Sequence, residues 1–310
     1  MVDQLLALDP GRRGIARFFV AGGATAAARA LMRSRRVLIT TGFALGPGMP
    51  ETDGPPGAAT LGRALQRLGR DVAYVTDAVT VPPLTAALAA LDGAGRAPII
   101  TFEPGADPEA AARRLLAAER PSHLLSIERP GRAQDGDYRS ARGESIRAWN
   151  APLDALFLAA PRGLVTIGIG DGGNEIGMGN VRHRVIRAGA LGRAIASVVR
   201  VTHLVVAGTS NWGGAGVVAE LGRLAGRDLL HTADEERRMV RACVDAGAVD
   251  GITRRPEPTV DGLPLDVHAG ILELLRLAGR AEARRRPPQR TGGQPRRHGA
   301  RPQRTGGHAR

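Results

Sequence analysis

Four glycine-rich stretches hold most of the side chains that could do chemistry, three of them acidic. The first, Gly42 to Gly57, carries Glu51 and Asp53 in the run PETDGPPG. The second, Ser126 to Gly143, begins with Glu128 and interleaves Arg129, Arg132, Arg139 and Arg142 with Asp135 and Asp137. The third, Gly168 to Asn180, places Asp171, Asn174 and Glu175 among six glycines in thirteen residues. Carboxylates brought together from separate loops can hold a hard divalent cation such as Mg2+ or Mn2+ through oxygen, or pass protons as general acids and bases. Asp171, Glu175 and Glu128 are the candidate catalytic groups. Glu51, Asp53, Asp171 and Glu175 are the candidate metal ligands. Guanidinium forks suit bidentate capture of a carboxylate or phosphate, which nominates Arg129 and Arg142, with Asn174, for substrate. Asp53 could equally be a turn or helix-cap residue, and the arginine-rich loop a surface ion-pair lattice.

The fourth stretch, Thr209 to Gly214, adds Ser210 and Asn211 as polar candidates, and its amides at a helix start could hold an anion. No GxSxG elbow supports a serine nucleophile. The third loop contains GxGxxG, but Gly177 and Gly179 spoil the helix that should follow. No Asp or Glu occurs from Ile176 to Ala219, where a ribose-binding acid belongs. No nucleotide is therefore expected. The chain of 310 residues also has no lysine: all 43 basic residues are arginine. That excludes a pyridoxal-phosphate anchor, a Schiff-base lysine and a phosphate-loop lysine. His268 follows the turn Val260 to Pro264 with no obvious acid partner and reads as structural.

These loops need a frame. Apolar runs at Val37–Thr41, Val72–Thr76, Pro98–Phe102, His123–Ile127, Leu164–Ile169 and His203–Ala207 alternate with helical patterns at 58–69, 82–92, 107–118, 151–159, 187–197, 214–225, 232–246 and 266–278. Such alternation predicts an α/β fold: a mostly parallel sheet with helices on both faces and long glycine-rich acidic loops at the strand ends. Ligands in such sheets bind beyond the carboxyl ends of the strands. Ahead of the first strand, Ile15, Phe19, Gly22, Ala26 and Ala30 fall at helical spacing and predict an opening helix. Arg12-Arg13 before it imitate a twin-arginine signal, but Arg17 interrupts the apolar part.

The formal charge of +13 resembles that of a nucleic-acid binder until it is located. Residues 280–310 hold ten Arg against one Glu. Their repeated PQRTGG sequence has no apolar periodicity, which marks a disordered tail beyond a domain at 1–279. Any nucleic-acid contact is confined to that tail. With 3% aromatics the body has little to stack on bases. The lone Cys243 permits no intrachain disulfide. No run reaches the roughly 18–20 apolar residues of a membrane span, and a cytoplasmic location is expected.

PGMPETDGPPGAA from Pro47, SIERPGRA from Ser126, GIGDGGNEIGMG from Gly168 and SNWGG from Ser210 together resemble the D-glutamate cyclase C-terminal domain family, over roughly residues 8–279. The resemblance implies a hydro-lyase that dehydrates D-glutamate to 5-oxo-D-proline. It also implies a metal-binding acidic cavity and, as a possible partner, a separate hydro-lyase-domain protein. Asn180 stands where it implies a basic residue. A metal-dependent phosphatase using the same carboxylates, or a non-catalytic metabolite-binding partner, are the alternatives.

Overall fold

Six apolar runs of three to six residues become six parallel strands: β1 Arg36–Thr41, β2 Asp71–Thr76, β3 Ile99–Thr101, β4 His123–Ile127, β5 Val165–Gly170 and β6 His203–Val206. The computed structural model describes residues 1–284, with side chains described through Arg280. The strands lie in the order β3-β2-β1-β4-β5-β6. They alternate with α1 Val2–Leu6, α2 Gly23–Leu31, α3 Pro55–Arg67, α4 Val81–Ala90, α5 Pro108–Glu119, α6 Asp154–Leu158, α7 Arg182–Ile186, α8 Ala190–Ile195, α9 Ser210–Ala225, α10 Ala233–Asp245 and α11 Leu265–Arg284. A two-stranded hairpin of β7 Thr259–Val260 and β8 Leu263–Pro264 precedes α11.

Both faces of the sheet are apolar because successive strand residues point to opposite sides. Val37, Ile39, Val72, Tyr74, Leu125 and Ile127 pack beneath α2, α3, α9 and α11. Leu38, Ala73, Val75 and Leu124 pack on the other side with α5 and α6. The helix starts are chemically marked. Pro55 and Pro56 open α3, where a missing N–H costs nothing. Thr209 accepts from Trp212 N at the start of α9, and Thr232 with Glu235 closes a capping box on α10.

Three sequence expectations are corrected. The single opening helix through Ile15 and Ala30 is instead a 3-10 turn, Ile15–Phe18, a break, and then α2. Gly22 takes a left-handed φ of +76°, and Asp3 accepts the N–H groups of Gly22 and Ala24, so the cap of α2 comes from α1 rather than from the residue that precedes it. The pattern at 187–197 is realised only as α8, which starts after Gly189, whose φ of +112° a helix interior cannot hold, while α7 lies ahead of the predicted span. Finally, α11 runs from Leu265 through Arg284, past the 266–278 expected for that helix. The remainder of the predicted tail, 285–310, lies outside the described residues. No helix among the described residues is long and apolar enough to cross a membrane.

Candidate active site

Because β1 and β4 are neighbours while their connections run in opposite directions along the sheet, the loops leaving their carboxyl ends diverge and open a crevice. The loop after β1 enters it through Phe43 and is pinned by Asn150. The Asn150 side chain accepts from Ala44 N at 2.9 Å and donates to Ala44 O at 2.8 Å. Glu51 and Asp53 follow, both buried. Gly54 has a φ of +103°, and a Cβ there would lie 2.7 Å from Thr41 Oγ1 and 2.9 Å from Glu128 Cβ. Only glycine lets the β1 loop come this close to the end of β4. Glu128, the first residue beyond β4, is itself left-handed at φ +43°, a strained position for a side chain of this size.

From β5, the glycine loop folds back on its own acid. Glu175 Oε1 accepts from Asp171 N (3.2 Å) and Gly172 N (2.6 Å), and its Oε2 from Gly173 N (2.9 Å). Both oxygens of Asp53 accept amides from the first turn of α9, Ser210 N and Asn211 N, each at 2.8 Å. The anion at that helix start is therefore a side chain of the protein. Ser210 Oγ donates to Glu128 Oε2 at 2.5 Å. Asp261, from the turn between β7 and β8, completes the group and is again left-handed, at φ +55°.

Six buried carboxylates thus converge: Glu51, Asp53, Glu128, Asp171, Glu175 and Asp261. One guanidinium lies among them. Arg13 donates through Nη1 to Asp171 Oδ2 (2.8 Å), through Nη2 to Asp171 Oδ1 (3.0 Å), and through Nη1 to Asp261 Oδ2. Burial, followed by mutual repulsion, holds protons on the rest. Asp53 is raised to about 8 by burial and then by the charge of Asp171. Glu175 is raised to about 7 by the same two causes. Glu51, Glu128 and Asp261 are all pushed well above the ordinary carboxylate range, first by burial.

The group lines a cavity of about 50 Å³, where one water needs roughly 10–15 Å³. Its mouth is latched by two arginines. Arg142 Nη2 donates to Ile252 O at 2.7 Å, and Arg254 pairs with Glu144. Two trios, Asp53–Asp171–Asp261 and Glu128–Asp171–Glu175, each offer oxygens lying within 4.8 Å of one another. Glu51 Oε1 is buried and has no hydrogen-bond partner. An all-oxygen donor set with an unsatisfied carboxylate oxygen beside it fits a hard divalent ion such as Mg2+ or Mn2+.

Of the residues nominated from sequence, Glu51, Glu128, Asp171, Asn174, Glu175 and Arg142 line the cavity. Asp53 and Ser210 stand directly behind it. Asn174 is held by its Nδ2 bond to Arg139 O at 2.8 Å. Two nominees are placed elsewhere. Arg129 is fully buried and turned towards Gly42 O (2.9 Å), Ala151 O (2.5 Å) and Asp77 (2.6 Å), where it ties the β4 exit to the β1 loop. Asn211 accepts from Gly54 N and Gly57 N at 3.0 and 2.9 Å, stapling α3 to α9. Asn180 pairs with the backbone of Val201, away from the cavity. Sequence reading missed Arg13, set aside as half of an imitation twin-arginine pair ahead of the predicted opening helix, and Asp261, read as an ordinary Asp-Gly turn. Neither has a local pattern that marks it.

The fold and the cavity define a doubly wound α/β protein with a buried oxygen-rich pocket at its topological switch point. The chain matches the family described as D-glutamate cyclase-like, C-terminal, over residues 2–276, and it belongs to that family. It is similar to the Homo sapiens protein "D-glutamate cyclase, mitochondrial", at 34% identity over 88% of this chain and 50% of that relative. The chain thus spans about half the length of the curated relative it matches.

Proposed function

We propose that this chain is a lyase that closes D-glutamate to 5-oxo-D-proline with release of water, acting at the carboxylate pocket. The observation that carries the reading is the pocket itself. Buried carboxylates that retain protons near neutrality surround a cavity in a chain whose relative bears the name D-glutamate cyclase. In the reaction the substrate nitrogen bonds to the γ-carbon, one γ C–O bond breaks, and the leaving oxygen departs as water with two protons from the ammonium. An ammonium is attracted to this acidic pocket, and there it must lose a proton before it can attack. Glu175, which releases its proton at about 7, suits that exchange. Glu128 shares a hydrogen with Ser210 Oγ at 2.5 Å and supplies the second proton-carrying group. Arg142, at the cavity mouth, receives a substrate carboxylate when its bond to Ile252 O opens. With a divalent cation bound, Glu128, Asp171 and Glu175 would serve as its ligands instead of as proton carriers, and the cation would make the γ-carboxylate more electrophilic.

NMR of purified protein with D-glutamate, with and without Mn2+ or Mg2+, tests this reading beside a phosphate-release screen. Appearance of 5-oxoproline supports it. Phosphate release without 5-oxoproline replaces it with a metal-dependent phosphatase. Because the chain spans half of its relative, a second reading is a metabolite-binding module that needs a separately encoded hydro-lyase partner. Silence in both assays, with D-glutamate still binding, favours that one.

A further inference from the structure

Two oxygen trios that share one carboxylate are the arrangement of a dinuclear centre, whose ions sit about 3.5–4 Å apart. Here the trios share Asp171. One of them already holds a positive charge. Arg13 grips both oxygens of Asp171 and reaches Asp261. We infer that Arg13 is a built-in replacement for a second cation, so that the pocket takes one divalent ion, at Glu128, Asp171 and Glu175. This inference rests on the divalent-ion reading given above.

The segment around Arg13 is shaped to deliver it. Asp9 accepts the backbone N–H groups of Arg13 (2.8 Å), Gly14 (2.6 Å) and Ile15 (3.2 Å). Gly14 turns the chain at φ +81°, and Leu6 O receives Gly208 N at 2.8 Å, fastening the segment to the end of β6. A guanidinium keeps its charge at any working pH, and its planar fork matches a carboxylate. In the second trio the situation differs. Asp171, gripped by Arg13, belongs to this trio too, but its other members bond no guanidinium: the oxygens of Glu175 accept backbone amides and Glu128 Oε2 a hydroxyl, and Glu51 Oε1, in the same cavity lining, is unpartnered. That buried, unpartnered oxygen gives the cavity a further donor for a cation. A single ion suits polarisation of one carboxylate. It does not suit the two-metal clamp of phosphoryl transfer.

Mn2+ binding to the full chain, counted by calorimetry and read by low-temperature EPR, tests the assignment. Wild type and Arg13→Lys should bind one Mn2+ with an isolated-ion spectrum. Arg13→Gln should bind two, with an exchange-coupled spectrum. Two ions in wild type, or one in folded Arg13→Gln, overturn the assignment. No ion in wild type but one in Arg13→Gln sustains Arg13 as the pocket's cation and refutes the divalent reading for the native chain. No ion in either refutes both. If Arg13→Gln does not fold, Asp261→Asn serves instead: retention of the single ion supports the assignment, and its loss overturns it.

Discussion

In the presence of a metal chelator this protein should become less stable as the pH rises from 7 to 8.5. The ordinary value of an aspartate is 3.8, and Asp53 holds its proton to about 8 in the folded chain. A carboxyl raised on folding binds more protons in the native state than in the unfolded one. Its contribution is complete below the unfolded value and is lost as the pH climbs through the folded value. For a group at about 8, the loss between pH 7 and 8.5 is about 1.2 kcal/mol. Glu175, raised to about 7, acts in the same direction. Glu51, Glu128 and Asp261, also raised well above the ordinary range, first by burial, act in that direction too. All these losses have the same sign, so the Asp53 figure is the smallest fall expected. Buried His123 and His268 and half-buried His203, all lowered from 6.5 by burial, work the other way, but mainly below pH 7. At about 2–4 °C per kcal/mol for a domain of this size, Tm in a chelator should fall by at least about 2–5 °C. Added Mn2+ should flatten or reverse the slope, since the departing protons leave ligands for it. Differential scanning fluorimetry of wild type and Asp53→Asn, with chelator and with Mn2+, measures this directly. A chelated Tm that is flat or rising, or an unchanged slope in Asp53→Asn, would refute the account of the pocket as a store of protons.

Three further outcomes are expected. Glu128→Gln should cut 5-oxoproline formation by about 10²–10⁴-fold, while Tm in chelator holds or rises, because a repelled buried carboxyl has been neutralised. A lowered Tm would mean that Glu128 is chiefly structural. Gly208→Ala would put a Cβ 2.4 Å from Leu8 O and 2.6 Å from the Trp212 ring. It should cost about 1–3 kcal/mol in denaturant titrations and loosen the segment bearing Arg13, seen as faster proteolysis near the N-terminus. His268→Ala should cost about 1–3 kcal/mol, because Trp212 Nε1–H loses its acceptor at 2.8 Å in a buried setting; Trp212→Phe in that background should then cost little more.

The sheet was legible because its strands are near-continuous apolar runs bounded by turn residues, the pattern of strands buried on both faces. All six predicted runs are strands, and β4 has the predicted ends. The opening helix was misread because helical spacing at Ile15, Phe19, Gly22, Ala26 and Ala30 counts apolar positions and ignores backbone angles. Gly14 and Gly22 are left-handed, and what stabilises that shape is Asp3 and Asp9, whose bonds no periodicity reports. Short α1 and the two-residue β7 and β8 are likewise held by tertiary contacts, with Val2 and Leu6 buried in the main core.

The pocket was legible only in the parts that leave adjacent strands. Glu51 and Asp53 follow β1, Glu128 follows β4, and Asp171 and Glu175 follow β5. These strands are consecutive in the sheet, so loops that looked separate in sequence must share one crevice. Strand order, which no single loop reveals, turns three acidic stretches into one site. Arg13 and Asp261 lie 248 residues apart and meet across it, one from a segment preceding the sheet and the other from a hairpin following it. Their chemistry comes from the charge they meet there. An arginine among solvated neighbours would contribute little. Placed among six buried carboxylates, the same side chain decides how many further cations the pocket can accept.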